Sequence, residues 1–477
     1  MSLATAGVIE GLLYGALAAG LLVPLTPRER SRPALALAWI GVLLYSAASA
    51  LTLAYTLSHG PLELYSRLVI YDRFAAFMAS IAGLAAILAL LSIGSQAAEW
   101  PSHPAYYSLL PIILFGVYMI TGAANAVMVL AVWLLVSVAS YVVIALPGDA
   151  ESRAAAVRYI LMGAIATLFL AFWVAVHAVA TSSVALAPPR TDMFDFSLYP
   201  QASIGALAIT LFLAALGFKL GVVPFHWWLP NVYARADGRA VSVVAGVAKV
   251  GFIAVTARLI YYAASPANAK ALALLLAGLA VVTMTYGNIA ALTTRDLQAI
   301  LAYSSIAHIG YILTALAAVA YLKGYAGATA AEAALAAIAI HTLAYATSKS
   351  PLFAAIGAKP EPGFRSLRGL LRTSPGAALA VAVLLLSLLG VPPLVGFWGK
   401  LYMFMAAIKY SIPLVAIALV NSGISAVYYV IAIRELAAPE EPVEAPPASV
   451  VATLTAAALI VLVVGLAAPY LYSLIIP

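Results

Sequence analysis

The stretch that decides the fold lies near the middle of the chain and reads Leu216-Gly-Phe-Lys219-Leu-Gly-Val-Val-Pro224-Phe-His226-Trp-Trp-Leu-Pro230. It places a lysine, a histidine and two prolines inside one hydrophobic segment. A charge at the centre of a bilayer costs at least about 2.5 kcal/mol, so a lysine at that depth usually faces a wet cavity or a partner. Pro224 interrupts a helix and frees backbone groups that need protein or water around them. The stretch therefore predicts a broken membrane helix beside an ion path.

The composition predicts an all-α integral membrane protein with a single membrane domain over residues 1–477. The chain is 65% hydrophobic and 9% charged, and its mean hydropathy is +1.07. A spanning helix needs about 20 apolar residues. The first segment lacks a basic region and a cleavage site, so it is predicted to span rather than to be removed. Fourteen segments satisfy the length: 3–24, 34–57, 74–95, 106–122, 125–146, 155–178, 202–230, 240–262, 270–292, 298–321, 331–357, 377–408, 411–433 and 448–475.

The net charge of +7 is spread thinly over the loops, which argues against nucleic acid as a partner and leaves the lipid bilayer. Loops after odd-numbered segments hold twelve Lys and Arg residues, and loops after even-numbered segments hold six. The positive-inside rule then places the odd loops in the cytoplasm and both termini outside a cell (plasma) membrane. The remaining basic residues lie within segments: Arg158, Lys219, Lys249, Arg258, Lys349 and Lys400.

Cofactor and metal sites are not expected in this chain. It has no cysteine, so thiolates cannot hold an iron–sulfur cluster. Its six histidines show no ligand spacing, and Gly-rich nucleotide-binding motifs are missing. Redox chemistry coupled to this protein is therefore expected in other chains.

Two segments are longer than the rest and contain breaks, at Pro224 in 202–230 and at Pro392 and Pro393 in 377–408. Paired interrupted helices are typical of inverted-repeat transporters. The breaks fall five segments apart, which predicts one repeat over 106–262 and an inverted copy over 270–434. Residues 1–95 and 448–475 then form flanking helices. The alternative is two proline-kinked helices with a structural role only.

Lys219 and Lys249 lie too deep in their segments to reach an interface easily. Snorkelling explains Arg158 and Arg258, which are within about a turn of their segment ends. The two lysines are instead predicted to face a hydrated interior. A desolvated amine can be neutral or charged near physiological pH, whereas a guanidinium stays charged. Lysines are therefore the candidate proton carriers, and Arg158 is a candidate fixed charge.

Two neighbouring segments carry polar stripes at helical spacing. Histidine and hydroxyl groups can pass protons through hydrogen bonds, but polar groups also hold helices together. Lys349 beside His341 favours a relay, whereas His308 alone fits either reading. The stripes are His341, Tyr345, Ser348 and Lys349 in segment eleven, and Ser304, Ser305, His308 and Tyr311 in segment ten.

Three blocks resemble the antiporter-like membrane subunits of respiratory complex I, closest to the subunit N type, and the related Mrp-type sodium/proton antiporters. The first joins Lys219, Val223-Pro-Phe-His226, Trp228, Pro230 and Lys249. The second reads Asn288-Ile-Ala-Ala-Leu-Thr-Thr-Arg295-Asp296-Leu-Gln-Ala-Ile-Leu-Ala-Tyr303-Ser304-Ser305-Ile-Ala-His308-Ile-Gly310-Tyr311. The third reads Gly390-Val-Pro-Pro393-Leu-Val-Gly396-Phe397-Trp-Gly399-Lys400. Together they cover roughly residues 105–435.

The resemblance implies two half-channels joined by a hydrophilic axis, with quinone reduction in other subunits driving proton transfer. By motif match, Lys219 is the lysine of the first half-channel, Lys249 the connecting one and Lys400 that of the second. It also implies other membrane subunits as partners in a complex I-like assembly, and it implies that partner subunits hold the quinone, the flavin and the iron–sulfur clusters. His341 and Lys349 occupy a spacing closer to the Mrp-like branch.

One position departs from the family pattern. A glutamate on the fifth span, which pairs with the first lysine, corresponds here to Leu134, and no Asp or Glu lies between Glu99 and Asp149. The sixth-span lysine of the family corresponds to Arg158. Either another acid substitutes, such as Glu10, or the first half-channel is modified or inactive.

The favoured interpretation is a proton-translocating, non-redox subunit of a complex I-like NADH or related donor:quinone oxidoreductase. The alternatives are a subunit of an Mrp-type cation/proton antiporter, or a scaffold subunit without proton flux, which Leu134 favours. An independent small-solute carrier would not need the series of lysines.

Overall fold

The structure, a computed structural model, describes residues 2–27, 31–186, 202–357, 367–438 and 444–476. Within these ranges the chain is mostly helical. The helices are α1 (Ser2–Leu22), α2 (Ser31–His59), α3 (Arg73–Ile93), α4 (His103–Gly122), α5 (Ala126–Ala145), α6 (Ala150–Thr181), α7 (Ala202–Leu220), α8 (Trp228–Tyr233), α9 (Gly238–Val243), α10 (Lys249–Ala263), α11 (Ala269–Leu292), α12 (Leu297–Tyr325), α13 (Ala328–Gly357), α14 (Leu370–Thr373), α15 (Pro375–Leu389), α16 (Val395–Ile408), α17 (Ile412–Glu435) and α18 (Ala448–Ile475).

The membrane-spanning character predicted from hydropathy is confirmed. In the described ranges, twelve helices are long and apolar enough to cross a membrane. Two predicted segments, 202–230 and 377–408, instead contain shorter apolar helices, Leu207–Leu220, Pro375–Leu389 and Val395–Ile408. The count of fourteen spans and the two inverted repeats stay predictions.

Both proline-containing segments leave the helical conformation near their middle. After α7 the chain turns at Gly221, which has a φ of +81°, and Pro224 lies in the non-helical stretch before α8. After α15 it turns at Gly390, with a φ of +93°, and Pro392 and Pro393 precede α16. Positive φ strains residues with a Cβ, which explains glycine at each helix end. These turns expose backbone carbonyls inside the bundle.

The element that carries Lys249 and helix α12, which carries one of the predicted polar stripes, lie at the centre of the bundle. The apolar window of the continuous element 238–263 is 100% buried and that of α12 is 94% buried, whereas those of α6 and α18 are 33% buried. In 238–263, residues 244–248 form a π-helical turn between α9 and α10. Such turns often mark functional positions because they change which way the next side chains point. The side chain that follows this turn is that of Lys249.

A short hairpin closes one end of the bundle. Strands β1 (Leu62–Leu64) and β2 (Val69–Tyr71) pair antiparallel in a stretch predicted as a loop. β2 leads into α3, whose first turn is capped by the Asp72 carboxylate, which accepts a hydrogen bond from the Ala75 N–H at 2.7 Å. The hairpin thereby brings Ile70 and Asp72 to the end of α10.

Candidate functional site

Four lysines lie inside the bundle with their side chains almost fully enclosed. Lys219 (α7) and Lys400 (α16) are 5% exposed, Lys249 (α10) is 3% exposed and Lys349 (α13) is 0% exposed. Among the described residues, no carboxylate lies within 4 Å of any of these ammonium groups. An isolated buried charge is costly, so neutral dipoles and aromatic faces must stabilise these cations whenever they are protonated.

Lys219 extends from the last turn of α7 toward α5. Its ammonium donates a hydrogen bond to the Ser137 hydroxyl at 2.7 Å. The nearest ring, that of Phe252, has its centroid 4.4 Å from the nitrogen. Ser137 lies three residues after Leu134 on α5, so this part of α5 supplies the contact to the lysine.

Lys249 lies between two tyrosine rings. Its nitrogen is 5.7 Å from the centroid of Tyr233 and 5.6 Å from that of Tyr345. Within the described part of the chain, its ammonium has no hydrogen-bond partner. A buried amine without a partner is well suited to exchange a proton with a transient one, because no fixed bond has to break.

Lys349 shares the Tyr345 ring with Lys249. The Lys349 nitrogen lies 5.9 Å from the ring centroid. It donates hydrogen bonds to the Leu301 carbonyl at 2.6 Å and to the Ser304 hydroxyl. These contacts join the polar stripes of α12 and α13 into one network that begins at Lys249.

The two histidines of the stripes contact each other directly. His308 Nδ1 lies 3.1 Å from His341 Nε2, and His308 Nε2 lies 3.4 Å from the Tyr429 hydroxyl. Each imidazole can donate with one nitrogen and accept with the other, so the pair can pass a proton by changing tautomers. The His308 ring also lies 5.6 Å from the Tyr345 ring, which places the pair beside the two central lysines.

Lys400 is held by the second helix break. Its ammonium donates to the Leu389 carbonyl at 2.8 Å and to the Ser422 hydroxyl at 2.9 Å. In an unbroken helix the Leu389 carbonyl would accept from residue 393, but that residue is a proline and has no N–H. The Tyr311 ring lies 4.8 Å from the same nitrogen. The break therefore creates the acceptor that Lys400 uses.

Two of the predicted site residues lie apart from this network. His226 is half-buried in the turn before α8, and its ring contacts that of Tyr286 at 4.1 Å. Arg158 on α6 has a buried Nη1 without a hydrogen-bond partner among the described residues. No described contact joins either residue to a lysine, so their part in a proton path stays a prediction.

The snorkelling interpretation of Arg258 was wrong. The side chain does not extend to solvent, and the residue is 3% exposed. Its Nη1 donates to the Thr121 carbonyl at 2.8 Å, and its Nη2 donates to the Ile70 carbonyl at 3.0 Å. The hydropathy pattern does not predict the hairpin, which covers this helix end and supplies the Ile70 carbonyl, whereas the Thr121 carbonyl comes from α4.

The comparisons with known proteins identify the family of this chain. Residues 123–425 match the family described as NADH:quinone oxidoreductase/Mrp antiporter, TM. A relative named NADH-quinone oxidoreductase subunit N 2, from Solidesulfovibrio magneticus, is 33% identical over 69% of this chain and 68% of its own length. The chain belongs to this family. The expected resemblance is thus confirmed, and the protein is a multi-pass membrane protein.

Two solved structures share the fold over nearly the whole chain. A chain of respiratory complex I from Thermus thermophilus with bound aureothin has a TM-score of 0.79 and 28% identity, covering 98% of both chains. A chain of the Mrp complex from Dietzia sp. has a TM-score of 0.85 and 21% identity, covering 100% of this chain and 96% of that one. The second likeness supports the fold alone.

Leu134 occupies an outward-facing position on α5. It is 42% exposed and lines an apolar crevice with Ser137 and Tyr141. Glu10, the acid considered as a substitute, accepts a hydrogen bond from the Tyr65 N–H at 3.2 Å. Its helix α1 packs on α2 and α4, so the described contacts of Glu10 are in the hairpin region and not at Lys219.

The site contains residues that sequence reasoning missed. Tyr233 and Phe252 face Lys249 and Lys219 from elements that carry no polar stripe. A hydrophobic ring on a buried helix gives no sequence signal that separates a lysine contact from ordinary core packing. Among the described residues there is no cluster of three or more His, Asp or Glu side chains that could hold a metal.

Proposed function

We propose that this chain is a proton-translocating membrane subunit of a complex I-like donor:quinone oxidoreductase. Lys219, Lys249, Lys349 and Lys400, with His308 and His341, exchange protons along the bundle. Quinone reduction in other subunits drives the exchange, and this chain performs no redox step itself. Its relatives carry the name NADH-quinone oxidoreductase subunit N, which supports the assignment.

The observation that carries this proposal is the chain of contacts between buried lysines. Tyr345 lies within 6 Å of both Lys249 and Lys349, and His308 follows on the same ring. A lysine in a membrane interior is costly unless it has a function. Two buried lysines that share one ring beside a histidine pair are hard to explain as packing, whereas a relay needs groups of this kind at short intervals.

The partners and location follow from the same assignment. Other membrane subunits would adjoin this chain, and partner subunits would hold the quinone, the flavin and the iron–sulfur clusters, because this chain lacks the cysteines that clusters require. In a bacterium the assembly would lie in the plasma membrane, with both termini of this chain outside. The two inverted repeats, 106–262 and 270–434, would each contribute one half-channel.

The test is proton translocation per electron in the assembled complex carrying Lys249→Ala or Lys400→Ala. We expect the ratio to fall in both variants, because each removes a group that carries the proton across a gap. Lys409→Ala is the matched control, since Lys409 is an exposed lysine at the end of the helix that carries Lys400. An unchanged ratio with intact assembly would overturn the relay and favour the scaffold interpretation.

A second candidate is a subunit of an Mrp-type cation/proton antiporter. It draws on the His341 and Lys349 spacing, which resembles that branch. Purification decides between the two. Iron–sulfur and flavin subunits that purify with this chain support the dehydrogenase, whereas sodium-dependent proton exchange without redox partners supports the antiporter.

A further inference from the structure

The Lys219 ammonium is enclosed by four aromatic rings from three helices. The centroid distances from the nitrogen are 4.4 Å for Phe252, 5.1 Å for Tyr141, 5.3 Å for Tyr159 and 5.6 Å for Trp133. All four lie within the range in which a ring face attracts a cation. The other three lysines each have one or two such rings, so this enclosure is specific to Lys219.

The rings hold one another in place. Trp133 and Phe252 meet edge to face at 4.9 Å, and Tyr141 and Tyr159 do so at 4.6 Å. The Trp133 indole also donates a hydrogen bond to the Thr167 hydroxyl at 3.2 Å. Edge-to-face packing is a preferred arrangement of aromatic pairs. The four faces around Lys219 are therefore built into the core and do not depend on an occupant.

This enclosure lies where the family pattern has an ion pair. Position 134 is a leucine, and no acid occurs on α5. Among the described residues, the hydrogen bond to Ser137 is the one that the ammonium makes. An ammonium has three N–H donors, and Ser137 accepts from one of them. The negative faces of the four rings attract the cation and supply the remaining stabilisation.

We propose that the ring box Trp133, Tyr141, Tyr159 and Phe252 replaces the missing carboxylate and stabilises the protonated form of Lys219. The first half-channel is then modified and not inactive. The rings are positioning residues that set how readily Lys219 holds its proton. This inference rests on the proposed function for its meaning, but the property of Lys219 can be measured independently.

The test varies the charge distribution of one ring and keeps its shape. Phe252 is replaced in the assembled complex by 4-fluoro-, 3,5-difluoro- and 3,4,5-trifluorophenylalanine, which progressively weaken the negative ring face. The readout is acetylation of Lys219 by acetic anhydride at pH 6, measured by mass spectrometry relative to the exposed Lys409. Only the neutral amine reacts. The same series at Phe212, a buried ring on α7, is the control.

We expect acetylation of Lys219 to rise stepwise with fluorine number at position 252, by about two- to fivefold overall, and to stay constant in the series at position 212. A flat series at position 252 overturns the proposal, whether the rate is constant or the amine stays unlabelled throughout. Equal rises at both positions also overturn it.

The result is independent of pumping. If Lys249→Ala leaves the proton ratio unchanged while the fluorine series rises, the ring box stands and the proton relay fails. If the proton-to-electron ratio falls in Lys249→Ala while acetylation stays constant across the fluorine series at position 252, the relay stands and Lys219 is stabilised in another way.

Discussion

Arg258 is a buried cation of a different kind from the four lysines. Its guanidinium is surrounded by fixed acceptors: beside the carbonyls of Thr121 and Ile70, it reaches the Tyr262 hydroxyl at 2.9 Å and lies 3.5 Å from the Asp72 carboxylate. An arginine stays charged, so it holds structure together without exchanging protons. It ties the ends of α4 and α10 to the hairpin.

Replacing Arg258 by alanine should therefore destabilise the fold more than it changes chemistry. The carbonyls of Thr121 and Ile70 would lose their donor, at a cost of about 3 kcal/mol or more in free energy of unfolding. We expect the midpoint of thermal denaturation of the purified complex to fall by several degrees. Arg67→Ala is the control, because Arg67 forms an exposed pair with Glu63 at 2.7 Å that solvent screens. Equal thermal midpoints for the Arg258 and Arg67 variants would show that the hydrogen bonds of Arg258 do not stabilise the fold.

The deep lysines could be predicted from sequence because a charged residue type inside an apolar segment is recognisable without knowledge of its neighbours in space. The same holds for Pro393, whose missing N–H marks the break. The rings that face the lysines could not be predicted in this way. Tyr159, Tyr233 and Phe252 come from distant parts of the chain, and only the packing of α6, α8 and α10 decides which lysine each one meets.

At the scale of elements, the second break is the clearest link between helix geometry and a functional side chain. Gly390 ends α15 in the left-handed conformation, and the next residues expose the Leu389 carbonyl to Lys400. A Cβ at position 390 would lie 3.1 Å from Cδ of Lys400. The turn and the lysine stem are thus in contact.

Gly390→Ala should weaken both the turn and the lysine site. The positive φ strains alanine by roughly 1 to 2 kcal/mol, and the new methyl group pushes the Lys400 stem away from its acceptors. We expect a lower thermal midpoint together with a lower ratio of protons to electrons. Gly278→Ala is the matched control, because nothing lies within 4 Å of its added Cβ and alanine favours the helix. A Gly390 variant that pumps as well as the control would show that the turn does not position Lys400.

At the scale of the whole molecule, the charge distribution and the fold together predict an orientation. Arg235 pairs with Glu151 at 3.8 Å, so the α5–α6 and α8–α9 connections lie at the same end of the bundle. Both were assigned to the cytoplasm by their positive charge. Arg67 lies in the β1–β2 hairpin, in a loop assigned to the outside.

Single cysteines test this orientation, because the chain itself contains none. The Arg67 side chain is 64% exposed and that of Arg235 is 56% exposed, so the two positions are matched in accessibility. In intact cells we expect a membrane-impermeant maleimide to label Arg67→Cys and to label Arg235→Cys only after permeabilisation. The opposite pattern would invert the predicted topology and place the cytoplasmic entry of the proton path at the hairpin end, far from the break beside Lys219.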